Sequence, residues 1–149
     1  GYSSTEGKVA ETMQALKDGA SEIDMVINIC DVKNKDYDKV EQEIAALKKA
    51  TGDHTLKVII ETCYLTEKEK IAMCQAVTNA KADFIKTSTG FGTAGAALED
   101  VKLMKEHIGA DVKIKAAGGI RSRKEMEDYI NAGCSRIGTS SAISMLGEL

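Results

Sequence analysis

Five short runs of apolar and β-branched residues recur along the chain, and stretches with helical periodicity separate them. The runs are Glu22–Ile29 (EIDMVINI), Leu56–Glu61 (LKVIIE), Asp83–Thr87 (DFIKT), Val112–Ala116 (VKIKA) and Arg136–Thr139 (RIGT). Each reads as a strand. Their starts are about 23 to 34 residues apart, the length of one strand–helix unit. This rhythm restricts the chain to a parallel α/β architecture. Two folds satisfy it: a (β/α) barrel of the TIM type, and an open, doubly wound, flavodoxin-like sheet of five strands. Periodicity alone does not choose between them.

The intervening segments have their own signals. Val9, Met13 and Leu16 recur at helical spacing and predict the buried stripe of a first helix, as Val40, Ile44 and Leu47 do for a second. Thr66 with Glu69, and Ser122 with Glu125, are capping boxes that open two further helices. Val101, Met104 and Ile108 mark another. Gly19, Gly52, Gly109 and Gly133 stand where helices should stop. The expected order is a helix, four strand–helix units, a last strand and a short tail. With 149 residues and no linker-like segment, residues 1–149 read as a single α/β domain.

Composition removes several function classes. Twenty Lys+Arg against 23 Asp+Glu leave a net charge of -3, which argues against a nucleic-acid binder held by bulk positive charge. No apolar run approaches the roughly 18 residues that span a bilayer, and no signal peptide is visible, so the expected location is cytoplasmic. Cys30, Cys63, Cys74 and Cys134 form no CxxC pair, and His54 and His107 lie far apart. Neither set has metal-ligand spacing, so no metal is expected, and the cysteines read as reduced, mostly buried thiols.

Functional groups of parallel α/β proteins gather near the C-terminal ends of the strands. The first strand offers Asp24, with Asn28 on the same face by alternation. The second offers Lys57 and Glu61. The third gives Lys86, followed by Thr87, Ser88, Thr89 and Gly90. The fourth gives Lys115, with Lys113 on the same face, and the fifth ends in Gly138, Thr139, Ser140 and Ser141. Lysine is rarely buried in a core strand without a partner or a task. Lys86 and Lys115 occupy equivalent points of consecutive units. Two ammonium groups facing one cavity at ~5 Å, with an effective dielectric near 20, repel by roughly 3 kcal/mol. That brings one of them toward the neutral amine that attacks aldehydes. Asp24 is placed to pair with the lysine that stays charged and to move a proton. Gly118-Gly119 and Gly138 to Ser141, with a short helix beginning within Ser140–Met145, suggest a phosphate cradle.

Taken in order, EIDMVINI, LKVIIET, FIKTSTGF, IKAAGGIR and RIGTSS resemble the deoxyribose-phosphate aldolase family from about Thr5 to Gly147. The resemblance implies a (β/α)8 barrel and a cofactor-free, metal-free class I aldolase of deoxyribonucleotide catabolism. Such an enzyme cleaves 2-deoxy-D-ribose 5-phosphate to D-glyceraldehyde 3-phosphate and acetaldehyde. It assigns Lys86 as the Schiff-base lysine, Lys115 as the lysine that perturbs it and Asp24 as the proton-relay carboxylate. Thr89 would line the site, and Gly118, Gly119, Gly138, Ser140 and Ser141 would hold phosphate. The family's barrel has eight strands, and five are legible here, so the chain reads as the C-terminal part of an aldolase-type barrel. The segment after Phe91 is shorter than the family's. Open edges would favour self-association or a partner chain that supplies strands. A non-catalytic part-barrel scaffold is the competing reading.

Overall fold

A computed structural model describes residues 1–147. Along the chain lie α1 (Thr5–Lys17), β1 (Glu22–Val26), α2 (Ile29–Lys33), α3 (Tyr37–Thr51) and β2 (Thr55–Ile59). A one-turn 3-10 helix at Thr62–Tyr64 precedes α4 (Glu67–Asn79), β3 (Phe84–Lys86) and α5 (Leu98–His107). β4 (Lys113–Ala117), α6 (Arg123–Asn131), β5 (Arg136–Gly138) and α7 (Ala142–Leu146) complete it. All strand pairs are parallel, and the sheet order is β1-β2-β3-β4-β5. A flavodoxin-like sheet reverses direction at a switch point. This one never does, which rejects the open doubly wound alternative and leaves the partial barrel.

The sheet curls but does not close. Among the described residues β1 pairs only with β2, and β5 only with β4. The curl brings Glu22, on one edge strand, to Arg136, on the other, in a two-pronged ion pair. The outward face packs against the helices through Ile27, Val58, Ile60, Ile85 and Ile114, which meet Val40, Ile44, Leu47, Met73, Val77, Val101 and Met104 in one continuous core. Burying each such side chain contributes about 1.5–3 kcal/mol. The concave face carries the charged side chains.

Both capping boxes form, at Thr66–Glu69 and Ser122–Glu125. Gly52 caps α3 with φ 56°, which a residue with a Cβ adopts only under strain.

Four expectations need correction. Strand β1 stops at Val26, because the Asn28 side chain accepts the amides of Cys30 and Asp31 and starts α2, a helix the sequence reading lacked. The Asn28 side chain is thus engaged as the cap of α2. The buried stripe of α1 is shifted: Lys8 and Thr12 are buried while Met13 is 60% exposed. Lys8 is drawn inward by Glu43 and by the Val26 carbonyl on the outer edge of β1, which it occupies at 2.8 Å. Of the cysteines, Cys74 and Cys134 are buried, but Cys30 is exposed and Cys63 half-exposed. Burial pushes the Cys74 thiol up to about 12 and Cys134 up to about 11, so both are inert as nucleophiles.

Candidate active site

Strand register assembles the site. Asp24 stands beside Lys57 across β1–β2, Ile59 beside Lys86 across β2–β3, and Lys86 beside Lys115 across β3–β4. All four charged side chains rise from the concave face, and they meet on one carboxylate. Lys57 donates to Asp24 Oδ1 at 2.7 Å, Lys86 donates to Oδ2 at 2.7 Å, and Lys115 Nζ lies 3.8 Å from the same Oδ2. Below them Lys57 also pairs with Glu22 at 2.8 Å. Arg136 lies over the Phe84 ring at 5.1 Å, and Lys113 at 5.8 Å. The floor of the concavity is thus a charged network, and Lys113 belongs to it rather than to the Asp24 cluster.

The cluster holds more cations than carboxylates, and protonation follows from that. Burial disfavours the Asp24 carboxylate, but the hydrogen bonds from Lys57 and Lys86 outweigh it and hold its pKa below the usual value. Burial disfavours the Lys57 ammonium too, yet its bonds to Asp24 and Glu22 carry its pKa above the ordinary lysine value. Lys115 goes the other way. Burial lowers its pKa, Asp24 opposes this across 3.8 Å, and the nearby Lys86, Lys57 and Arg136 charges lower it further. The lysine pushed toward neutrality is Lys115, which lacks a close carboxylate, whereas Lys86 has one at hydrogen-bond distance.

The loop after β3 is fixed at several points. Thr87 Oγ1 bonds both the amide and the carbonyl of Ala117, and Ser88 Oγ donates to Thr87 Oγ1. These two residues, both wholly buried, stitch the loop to β4. Further on, Ala96 N donates to the carbonyls of Ala117 and Gly118, and Tyr129 Oη donates to Ala96 O at 2.8 Å. Gly95 lies so close to the Gly118 carbonyl that a Cβ there would overlap it.

The glycine turn after β4 and the serine turn after β5 are tied to each other. Thr139 Oγ1 donates to Ile120 O at 2.7 Å and accepts the Ser141 amide at 3.0 Å, which ties the end of β5 to the Gly118-Gly119 turn. Gly138 packs against Ala117 and the Lys115 stem. Ser141 precedes α7, a helix of five residues. Gly119 and Ser140 are exposed beside this junction.

The profile of the DeoC/LacD family aldolases matches residues 2–145. The chain belongs to that family. A deoxyribose-phosphate aldolase of Clostridium botulinum (strain Eklund 17B) is 70% identical over 146 residues, which cover 98% of this chain and 66% of that protein. One from Clostridioides difficile is 60% identical over 98% of this chain and 67% of that protein. Among solved structures, the aldolase QR15 superposes with a TM-score of 0.92 at 43% identity, covering 97% of this chain and 66% of its own. The tetrameric deoxyribose phosphate aldolase of Aeropyrum pernix does so with a TM-score of 0.85 at 30% identity, covering 98% and 62%. This DeoC/LacD chain thus spans about two thirds of the length of its curated relatives.

Two residues of this DeoC/LacD chain matter more than the sequence reading allowed. Lys57 appears there only as a polar residue of its strand, yet it is buried and bridges Glu22 to Asp24. Its position directly across from Asp24 is a matter of register, which a single sequence does not encode locally. Glu61 is buried at the end of β2 and accepts both the amide and the hydroxyl of Thr89. Its signal was a carboxylate closing an otherwise apolar strand.

Proposed function

We propose that this chain forms the lysine-bearing part of a class I aldolase that cleaves 2-deoxy-D-ribose 5-phosphate to D-glyceraldehyde 3-phosphate and acetaldehyde. The observation that carries the reading is the meeting of Lys86, at the C-terminal end of β3, and Lys115, across from it on β4, on Asp24 Oδ2. Family membership supports it over a non-catalytic scaffold.

Lys86 is the nucleophile. Its side chain is almost wholly buried and is aimed by the bond to Asp24. To attack, Lys86 must lose a proton. Lys115 is the base within reach, because its own pKa is lowered by burial and by neighbouring cations. The free amine adds to C1 of the open-chain sugar, and the carbinolamine oxygen leaves as water with the proton that Lys115 had taken, which forms the iminium and returns Lys115 to the neutral amine. Asp24 and Lys115, through water, take the proton of the C3 hydroxyl. The electrons of the C2–C3 bond then pass into the iminium, and C3 departs as the aldehyde of glyceraldehyde 3-phosphate. The enamine that remains is protonated at C2, and water hydrolyses the new iminium to acetaldehyde and free Lys86. Lys57 takes no part in bond making; it keeps Asp24 ionised and fixed. Gly118, Gly119, Gly138, Ser140 and Ser141 receive the phosphate, supported by the Thr139 tie that draws their two turns together. Thr89 faces the substrate from the loop after β3.

Borohydride reduction in the presence of acetaldehyde tests the assignment: one ethyl group should appear on Lys86 by peptide mapping. Adducts scattered over surface lysines with Lys86 unmodified would refute it. Ser140→Asp should weaken trapping with 2-deoxyribose 5-phosphate by charge repulsion and leave acetaldehyde trapping intact. Unchanged trapping of the phosphorylated sugar would remove Ser140 from the phosphate site.

A further inference from the structure

Glu61 occupies a conformation that its residue type does not favour. Its backbone lies in the left-handed region, with φ 53° and ψ 65°, between the end of β2 and the Thr62–Tyr64 turn. Only glycine enters this region without cost, and strained backbone that persists often marks a functional constraint. The residue is also 4% exposed, an unusual state for a carboxylate. The main chain on either side is zipped to the loop after β3, because Ile60 N donates to Lys86 O and Thr62 N to Thr87 O. Strand alternation would send Glu61 along the concave face, and the left-handed turn redirects its carboxylate.

The carboxylate meets Thr89 twice. Thr89 N donates to Oε1 at 3.0 Å, and Thr89 Oγ1 donates to Oε2 at 2.5 Å. The same hydroxyl accepts the Phe91 amide at 3.0 Å. Gly92 lies against the Glu61 carboxyl group and Cys63 Sγ, where a Cβ would not fit, so the loop closes over the acid. Glu61, Thr89 and Phe91 line a cavity of about 330 Å³ with Val26, Ile29 and Tyr64. Val26 is two residues along β1 from Asp24, on the same face of the strand, and Thr89 is three residues beyond Lys86.

A hydroxyl has one hydrogen and two lone pairs. At Thr89 the hydrogen is given to Glu61 and one lone pair to Phe91. What remains for a ligand is a single acceptor. We propose that Glu61 is a positioning residue that locks Thr89 as a hydrogen-bond acceptor, so that this side of the site selects a substrate carrying a hydroxyl donor. The inference rests on the aldolase reading and deepens it. A carboxylate suits this task because it accepts only. A glutamine would offer an amide donor to the Thr89 oxygen and reverse the polarity that the ligand meets.

Trapping on Lys86 with two carbonyl compounds tests the idea, since acetaldehyde has no hydroxyl and 2-deoxyribose 5-phosphate has several. Glu61→Gln should slow borohydride trapping with the sugar phosphate roughly tenfold and change acetaldehyde trapping by less than about twofold. Thr89→Val should behave alike, Thr89→Ser should keep most of the rate, and the Glu61→Gln/Thr89→Val double variant should be no slower than Thr89→Val. Equal losses with both compounds, additive effects in the double variant, or wild-type trapping in Glu61→Gln would each overturn the proposal. Amide hydrogen exchange separates this from the chemistry it rests on. Protection of Thr89 and Phe91 should fall at least about tenfold in Glu61→Ala, which removes the group that holds Thr89, and unchanged protection in that variant overturns the proposal even if the wild type forms no Lys86 adduct. Absence of that adduct in the wild type overturns the Schiff-base reading instead.

Discussion

Replacing Asp24 by asparagine keeps the shape of the side chain and removes the charge on which three lysines converge. The effect is best read on Lys115. Burial and neighbouring cations already hold its pKa down, and Asp24, 3.8 Å away, is the group that opposes them. At that distance a full charge pair in an effective dielectric near 20 amounts to about 4 kcal/mol. The Asp24 side chain is 31% exposed, so solvent screens the pair, and an effective dielectric near 40 is the better choice. That gives about 2 kcal/mol of lost support for the charged form. The half-reactivity pH of Lys115 in Asp24→Asn should therefore fall. Competitive acetylation across a pH series, with peptide mapping of Lys115, measures it directly. A thermal melt at neutral pH shows whether the variant is folded. An unchanged or higher half-reactivity pH in the folded variant would refute the view that Asp24 sets the charge of this lysine.

Other expectations follow from the loops and edges. Gly95→Ala should break the contact of the β3 loop with Gly118 and lower stability by about 2–3 kcal/mol, read as a shift in denaturation midpoint; an unchanged midpoint would show that the loop yields freely. Asp24 has a folded-state pKa below its unfolded one, so its contribution to stability is complete above the unfolded carboxylate value of about 4 and fades as pH falls through the lower folded value. Asp24→Asn should flatten that part of an acid titration, and an identical acid limb in both proteins would contradict it. The outer edges of β1 and β5 have no strand partner among the described residues, so the 149-residue chain should self-associate in sedimentation, and a monomer across micromolar concentrations would show the edges to be guarded. Lys8, seated on the Val26 carbonyl, is one such guard.

The parts legible in the sequence were those set by local chemistry. β-Branched runs located all five strands, and both capping boxes formed because their donors and acceptors lie three residues apart. Lys86 in β3 and Lys115 in β4 stood out because a lysine in an apolar run is locally anomalous. What escaped was set by distant partners. The inward turn of Lys8 depends on Glu43, 35 residues away. The bridging role of Lys57 depends on β1–β2 register, and the grip of Glu61 on Thr89 depends on a left-handed backbone that no pattern of residue types announces. Asn28 shows the boundary between the two. Its capping chemistry is local, but alternation argued for the strand, and the cap won.

Among the described residues, each strand of the sheet pairs only with the strands before and after it in the chain. No segment is threaded between two others, so every pairing closes a loop of a few tens of residues, and the entropy of loop closure grows only slowly with length. Such a molecule is close to one-dimensional in its cooperativity: a strand–helix unit needs its neighbours and little else, and order can start at any unit and spread both ways. The exceptions are ionic and cross the concavity: Asp24 reaches Lys86 and Lys115, and the Glu22–Arg136 pair joins residues 114 positions apart. That last pair is partly exposed, so added salt should loosen the curl of the sheet before it melts any single unit.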